Sequence, residues 1–299
     1  MSTPAETVAS ARIGVAAPGT GRAGRLELVF GETAGRTGLV HAYAEAPFRI
    51  TPLFHPAGPS LAHFMLVQTT AGLFGGDRTD VDIRVQRGAR VVVTSQAALQ
   101  AHPSADRTSV ARQRLRAVVE DGGELHAYLD PLIPFAGARV RQITCLEVTG
   151  AGRLFWSDGL MAGRVRRGER WQFARLDVET ALRRDGVLVH LERFSLGEGP
   201  VDPTARWAMG AHPYLGSLLA CDARLDETRG DALQAALFEA GRPKEEAGAL
   251  LGGVDLPAPG LLAGRVTAAD GASFRRWQRA WRTAVFETLL DQIPPPLRP

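Results

Sequence analysis

A chain of 299 residues with 45% hydrophobic and 22% charged residues is long enough to bury a sizeable core. Its formal net charge of +3 is small for this length and provides no electrostatic argument for binding nucleic acid. No apolar run approaches the roughly 20 residues of a membrane span, and none near the N-terminus has signal-peptide length. Two cysteines, Cys145 and Cys221, form neither a disulfide framework nor a thiolate metal site. We therefore expect a cytoplasmic protein that binds neither nucleic acid nor membranes.

The first two thirds of the chain have the period-two pattern of β-strands. Residues 1–25 are rich in Ala, Gly, Thr and Pro, and we expect a loose N-terminal segment there. From Leu26 onward, apolar residues alternate with charged ones, as Val81, Ile83 and Val85 do with their neighbours. The run 91–93, all valine, indicates a strand buried on both faces.

Glycine turns separate successive strands over roughly 140 residues. The turns are centred near Gly88, Gly123, Gly152 and Gly168, and Asp185-Gly186 adds a hairpin signal. Their spacing is uneven, so no strict repeat is predicted. The predicted fold class is mainly β, with stacked or helically wound antiparallel or mixed sheets and a helical C-terminal part.

The C-terminal third has a different character. Asp231–Ala240 predicts a short helix, and the Gly-, Pro- and Ala-rich residues 241–260 predict a loop. Ser273–Ile293 has the strongest helical pattern in the chain, with Ser273 as its cap and a stop at Pro294. We predict a single domain with a β-rich core, 26–220, onto which a helical part, 221–299, packs.

The most conspicuous local motif is the glycine-rich run from Gly72 to Asp77. A phosphate-binding loop would continue with Lys-Ser or Lys-Thr and a helix, whereas an acidic residue and a strand follow here. Taken alone, the run predicts a tight turn in which Asp77 accepts hydrogen bonds from nearby backbone amides.

Residues suited to catalysis or metal binding are dispersed along the chain. The seven histidines form no i,i+4 or His-x-His pair, and no Gly-x-Ser-x-Gly elbow is present. Acidic residues near the glycine turns have oxygen ligands suited to a transiently held metal such as nickel, and ordinary surface carboxylates are the alternative. Those residues are Asp77, Asp80, Asp158 and Glu169.

Five segments, in chain order, resemble the UreD (also called UreH) family of urease accessory proteins. They are 68–77 (QTTAGLFGGD), 88–98 (GARVVVTSQAA), 129–135 (LDPLIPF), 155–169 (FWSDGLMAGRVRRGE) and 183–193 (RRDGVLVHLER). The residues that carry the family motif are Gly72, Gly75, Gly76, Asp77, Gln96, Pro134 and Phe135.

The resemblance implies a non-catalytic assembly factor for the nickel enzyme urease. Such a scaffold binds the helical partner UreF and through it the GTPase UreG, docks on apo-urease and supports nickel insertion. It implies transient nickel and no tightly bound cofactor. The candidates for a polar metal passage are Asp77, Thr94, Ser95, Asp158 and Glu169. The candidates for a partner-binding surface are Phe274, Trp277 and Trp281, for which core packing is the alternative.

Two other functions remain open from the sequence. The first is a stand-alone β-rich binding module unrelated to urease, which would be stable without partners. The second is a hydrolase with a site assembled from dispersed Asp and His residues, which predicts a deep pocket with convergent polar groups of perturbed pKa.

Overall fold

The computed structural model describes residues 21–199, 202–241 and 249–296. Most of the predicted loose segment, residues 1–20, lies outside these ranges, and the first strand begins at Ala23. Within the described ranges, neither helix has the length and apolar character needed to cross a membrane.

Two large sheets make up most of the molecule. The seven-stranded sheet contains, in spatial order, β14 (Val187–Gly197), β13 (Arg175–Arg184), β11 (Arg139–Val148), β8 (Ala111–Val119), β5 (Arg78–Val85), β1 (Ala23–Thr33) and β2 (Arg36–Ala44). The second contains β16 (Leu250–Ala258), β17 (Leu261–Ala268), β15 (Tyr214–Cys221), β12 (Arg153–Met161), β9 (Glu124–Tyr128), β6 (Arg90–Ser95), β4 (Leu61–Gln68) and β3 (Phe48–Arg49). The short strands β7 (Leu99–Ala101) and β10 (Leu132–Pro134) extend this sheet beyond β12.

The chain winds between the two sheets. From β4 to β13 the long strands alternate between them, and neighbouring strands are parallel along β5–β8–β11–β13 and along β4–β6–β9–β12. The glycine turns form stacked corners: the Gly88 amide donates to the Gly122 carbonyl, and the Gly123 amide to that of Glu120. The predicted fold class is confirmed, including helical winding.

The main core lies between the sheets and is filled by inward-facing residues of most of the long strands. Phe30 of the seven-stranded sheet meets Phe64 of the opposite sheet edge to face, with ring centroids 6.0 Å apart. Trp156 is also fully buried in this cluster. Because burial of each such side chain is worth about 1.5–3 kcal/mol, this interior dominates the stability of the fold.

The C-terminal part contains a β-hairpin that the sequence analysis misses. The helices are α1 (Glu227–Gly241) and α2 (Gly271–Ala284), and a π-helical turn, Val285–Leu289, follows α2. Between the helices, β16 and β17 pair antiparallel, so the prediction of a loop is wrong for residues 250–258. Glycines and a proline in β16 weaken its local strand signal, and hydrogen bonding to β17 overrides that local tendency.

The cap of α2 also differs from the prediction. Asp270 is the N-cap, and its Oδ1 accepts from the Ser273 amide at 2.7 Å. Ser273 is a helical residue with a buried side chain. The α-helical hydrogen bonding ends at Ala284 rather than continuing to Ile293.

The aromatic stripe of α2 belongs to the core. Phe274, Trp277 and Trp281 are at most 1% exposed, and they pack on the outer face of the second sheet. Gly159 and Gly216, paired across β12 and β15, make room for them, since a Cβ at either would lie 2.5 Å from a ring atom. The prediction that these aromatics form an exposed partner-binding surface is therefore wrong for this structure, and the core-packing alternative is correct.

Candidate functional site

A cavity of about 190 Å³, lined by both apolar and polar side chains and called the polar cavity below for its hydrogen-bonding groups, opens between the two sheets. Its rim consists of the loops around residues 68–72 and 95–100, which include parts of two family-like segments. Its walls come from β8, β11 and β12, with residues 129–132 at one side. The cavity therefore lies where the alternating strands place inward-facing side chains.

The seven-stranded sheet contributes a polar patch to the wall of the cavity. Gln113 and Gln142 are paired in register on β8 and β11, and the Gln142 amide donates to Gln113 Oε1 at 3.1 Å. Thr144, the next inward residue on β11, also lines the cavity. Polar side chains interrupt rows that are otherwise apolar, so the interior contains hydrogen-bonding groups at this level.

Asp158 supplies a carboxylate to the same cavity. Trp156 Nε1 donates to its Oδ2 at 3.1 Å. Burial, opposed by the Trp156 hydrogen bond and by Arg265 and assisted by the nearby Glu192, raises the pKa of Asp158 to about 6. Because this pKa lies close to neutrality, the carboxylate is mainly ionised at pH 7 and gains a proton in mild acid.

A smaller cavity of about 20 Å³ lies beside the first, and Gln142, Asp158 and Gly159 line both. Glu192 lies in this extension, where Ser217 Oγ donates to its Oε1 at 3.4 Å and Arg265 pairs with it at 2.5 Å. Side chains with oxygen atoms therefore line both cavities, from Ser95 near the rim to Glu192 and Ser217 between β14 and β15.

Of the five residues predicted to line a passage, Ser95 and Asp158 lie in this cavity. Ser95 Oγ accepts from the Asp130 amide at 2.8 Å. Thr94 lies on the opposite face of the sheet, where its hydroxyl is 2.9 Å from His63 Nε2. Adjacent residues of a strand point to opposite faces, so only one of this pair can reach the cavity.

Asp77 and Glu169 are structural carboxylates outside the cavity. Asp77 accepts from the Arg22 amide at 2.9 Å and from the Phe74 amide at 2.8 Å, which stabilises the glycine turn. Glu169 pairs with Arg164 and accepts from the Ala136 amide at 3.2 Å. Neither residue lines the cavity, and their oxygens hold the glycine turn and the Arg164 ion pair, so their role in a metal passage stays a prediction.

The sequence analysis misses most of the polar lining. The sequence does not predict Gln113, Gln142 or Thr144 as lining residues, and Glu192 appears only within the family-like segment 183–193. The available signal is a polar residue at an inward position of an alternating strand, as in Val140-Arg141-Gln142. Recognising it requires knowing which face of the strand is buried, and this depends on the packing of the sheets.

A family model described as UreD urease accessory protein matches residues 22–298, which is most of the chain. The chain belongs to the UreD family. A relative from Sorangium cellulosum named urease accessory protein UreD is 36% identical over 205 residues, covering 68% of this chain and 63% of the relative. A relative of the same name from Trichodesmium erythraeum is 32% identical, and the match covers 47% of this chain and 51% of the relative. Another, from Deinococcus radiodurans, is 30% identical, and the match covers 93% of this chain and 95% of the relative. The chain thus spans less than two thirds of the first two relatives.

The UreD motif residues hold the rim in shape. Gly72 has φ +135°, and a Cβ there would lie 2.2 Å from the Gln100 carbonyl oxygen, so only glycine fits between the two rim loops. The adjacent Leu73 amide donates to the same carbonyl at 2.8 Å. Gln96 lines the cavity at the rim. The motif therefore fixes the loops that form the opening.

The other UreD motif residues lie in the turn and strand beside the rim, and Phe135 belongs to a stacked column of side chains there. Gly75 and Gly76 complete the turn that Asp77 caps, and Pro134 ends β10 immediately before Phe135. His102 stacks on Phe74 at 4.5 Å and meets Phe135 edge to face at 4.6 Å. The Arg164 guanidinium lies 4.1 Å from the Phe135 ring centroid. Phe74, at the outer end of the column, is 45% exposed.

Proposed function

We propose that this UreD chain is a non-catalytic scaffold in urease assembly and that nickel passes through its polar cavity on the way to apo-urease. The observation that carries the proposal is the position of Asp158, an ionisable carboxylate inside a cavity whose rim is built from UreD motif segments. Nickel is cargo in this proposal, and the chain acts on it by transient ligation.

The chemistry of the lining suits a metal in transit. Nickel has its highest affinity for nitrogen and sulfur ligands, so isolated carboxylate, hydroxyl and amide oxygens bind it weakly. Transfer requires sites strong enough to admit the ion and weak enough to release it. Ser95, Gln142, Asp158 and Glu192 provide oxygen ligands in series. Among the described residues, no three His, Cys, Asp or Glu side chains converge on one point that could hold a metal ion.

The proposal includes partners that act with the chain. UreF binds the scaffold, UreG joins through UreF, and the complex meets apo-urease in the cytoplasm as an assembly chaperone. The support is membership of a family whose relatives are named urease accessory proteins. Neither nucleic acid nor a membrane takes part in this function.

The experiment is co-expression of the urease structural and accessory genes with and without this chain, followed by assays of urease activity and bound nickel. We expect both to be lost without the chain and to be restored by the native sequence. Full activity and nickel content without it would refute the assembly role and favour the stand-alone binding module.

A second set of strains tests the cavity. Asp158→Asn should give less nickel per urease than the native chain at equal scaffold abundance. Asp82→Asn, on the outward-facing side of β5, is the matched control and should behave as the native chain does. Equal nickel loading with Asp158→Asn would remove the cavity from the mechanism while leaving the assembly role intact.

A further inference from the structure

The two helices of the C-terminal part leave an open groove of about 580 Å³ between them. Small side chains, those of Ala236, Ala280 and Ala284, line it. Helices approach within about 8–10 Å, depending on the size of the side chains at the contact, so a small-residue floor admits a further helix.

The groove carries positive charge that no salt bridge among the described residues pairs, although the Asp270 pKa, lowered mainly by the hydrogen bond from the Ser273 amide, is lowered further by the Arg276 charge. Arg276 and Arg279 line it, and neither forms a salt bridge with any described residue. Arg276 donates from Nη2 to Ser273 Oγ at 2.8 Å, while its Nε is buried without an acceptor. Glu287 is the single carboxylate that lines the groove among the described residues.

The other arginines of α2 face elsewhere. Arg282 lies towards the sheet beneath the helix, where its charge lowers the pKa of His63 in addition to the larger effect of burial. Arg275 is exposed outside the groove, and its charge acts on Tyr214 at the start of β15. The unpaired charge in the groove therefore comes from Arg276 and Arg279, one helical turn apart.

We propose that this groove docks an acidic helix of a partner protein, with two carboxylates one turn apart pairing with Arg276 and Arg279. Residues at i and i+3 are about 4.5 Å apart along a helix axis, which matches the spacing of carboxylates at i and i+3 or i+4 on the partner. A guanidinium donates two parallel hydrogen bonds to a carboxylate in a bidentate fork, so two such pairs would fix the position of the docked helix.

The chemistry favours an acidic helix over a nucleic acid. Binding to a phosphate backbone uses a longer basic stripe, and the whole chain has a net charge of only +3. The groove also lies on the far side of the second sheet from the polar cavity, because α2 covers the outer face of that sheet. The docking proposal therefore does not depend on nickel passing through the molecule.

The test uses the full chain and a fluorescein-labelled, alanine-based helical peptide with glutamates at i and i+4. We expect saturable binding by fluorescence anisotropy at low salt, and loss of binding at high salt. The double variant Arg276→Gln/Arg279→Gln should weaken binding by about tenfold or more, whereas Arg275→Gln should not change it. The same peptide with glutamine in place of glutamate should not bind.

Arg279 is exposed, so Arg279→Gln keeps the fold and provides a second variant whose weaker binding does not depend on the half-buried Arg276. Absence of peptide binding to the native chain, or equal weakening by Arg275→Gln and Arg279→Gln, would overturn the proposal. Tryptophan fluorescence and the thermal unfolding midpoint of each variant show whether it is folded. A variant that loses nickel transfer but still binds the peptide would have a defect in the polar cavity, and the docking proposal would stand.

Discussion

Trp156 donates a hydrogen bond of 3.1 Å to Asp158, two residues further along β12 and on the same inward face. The bond partly stabilises a carboxylate that burial disfavours. Its raised pKa of about 6 couples the cavity to pH, since protonated Asp158 is a poor ligand for a cation. The cavity should therefore hold a metal ion well at neutral pH and poorly in mild acid.

Asp158→Asn should increase stability at pH 7. The folded chain holds the Asp158 proton more tightly than the unfolded chain, so the group favours folding most below its ordinary pKa and this contribution is lost as pH rises towards about 6. Asparagine removes the cost of the buried charge, and we expect a gain of about 1–2 kcal/mol because part of the group faces the open cavity. Urea unfolding at pH 7 and at pH 4 should show this gain at the higher pH only. An equal gain at both would contradict the assignment.

Substitution of Ser95 should lower nickel loading of urease, whereas substitution of Thr94 should lower the stability of the chain. Ser95→Ala removes an oxygen from the cavity and should reduce nickel loading of urease in the co-expression strains. Thr94→Val removes the partner of His63 on the opposite face and should cost about 1 kcal/mol of stability without affecting loading per folded molecule. The checks are nickel content per urease and urea unfolding of each purified variant. The reverse pattern would place the passage on the other side of the sheet.

Gly216→Ala should destabilise the packing of α2 on the sheet. Its Cβ would lie 2.5 Å from the Trp277 ring, and the displaced helix should cost about 1–3 kcal/mol. Gly253→Ala is the control, because a Cβ there meets nothing within 4 Å, and its effect should stay within about 0.5 kcal/mol. Thermal unfolding followed by tryptophan fluorescence measures both. Equal midpoints for the two variants would show that α2 tolerates the shift.

Protonation of Glu124 should lower the free energy of unfolding in acid. Burial alone raises its pKa, but the hydrogen bond with His126 and the charges of His126, Arg90 and Arg153 outweigh burial and hold the pKa at about 2. This stabilisation is present above the ordinary value and is lost as pH falls from about 4.5 towards 2. Urea midpoints should therefore fall over this range in the native chain.

Glu124→Gln provides the comparison for that acid transition. It leaves two arginine charges without their carboxylate and should cost about 3–5 kcal/mol at pH 7. The part of the acid dependence that comes from this group should disappear in the variant. An unchanged acid profile would mean that other carboxylates cause the transition.

Local pattern was enough to predict the strands and the corners between them. Alternation in residues such as Val81 to Val85 identifies a half-buried strand, and glycine is needed where the chain turns with positive φ, as at Gly88 and Gly122. The same local reading fails for β16, whose glycines and proline indicate a loop. Its strand conformation depends on hydrogen bonds to β17, which is a tertiary effect.

By itself, the sequence determined the family, the mainly β class and the motif turns, because these depend on residues close together in the chain. Tertiary structure alone decided which faces are interior. It placed Ser95 in the cavity and Thr94 behind the sheet, buried Trp277 against Gly216, and brought Asp158 near Glu192 from a strand 34 positions later. The physical reason is that a side chain's environment depends on the register and packing of strands distant in sequence, and a one-residue shift of register exchanges inside for outside.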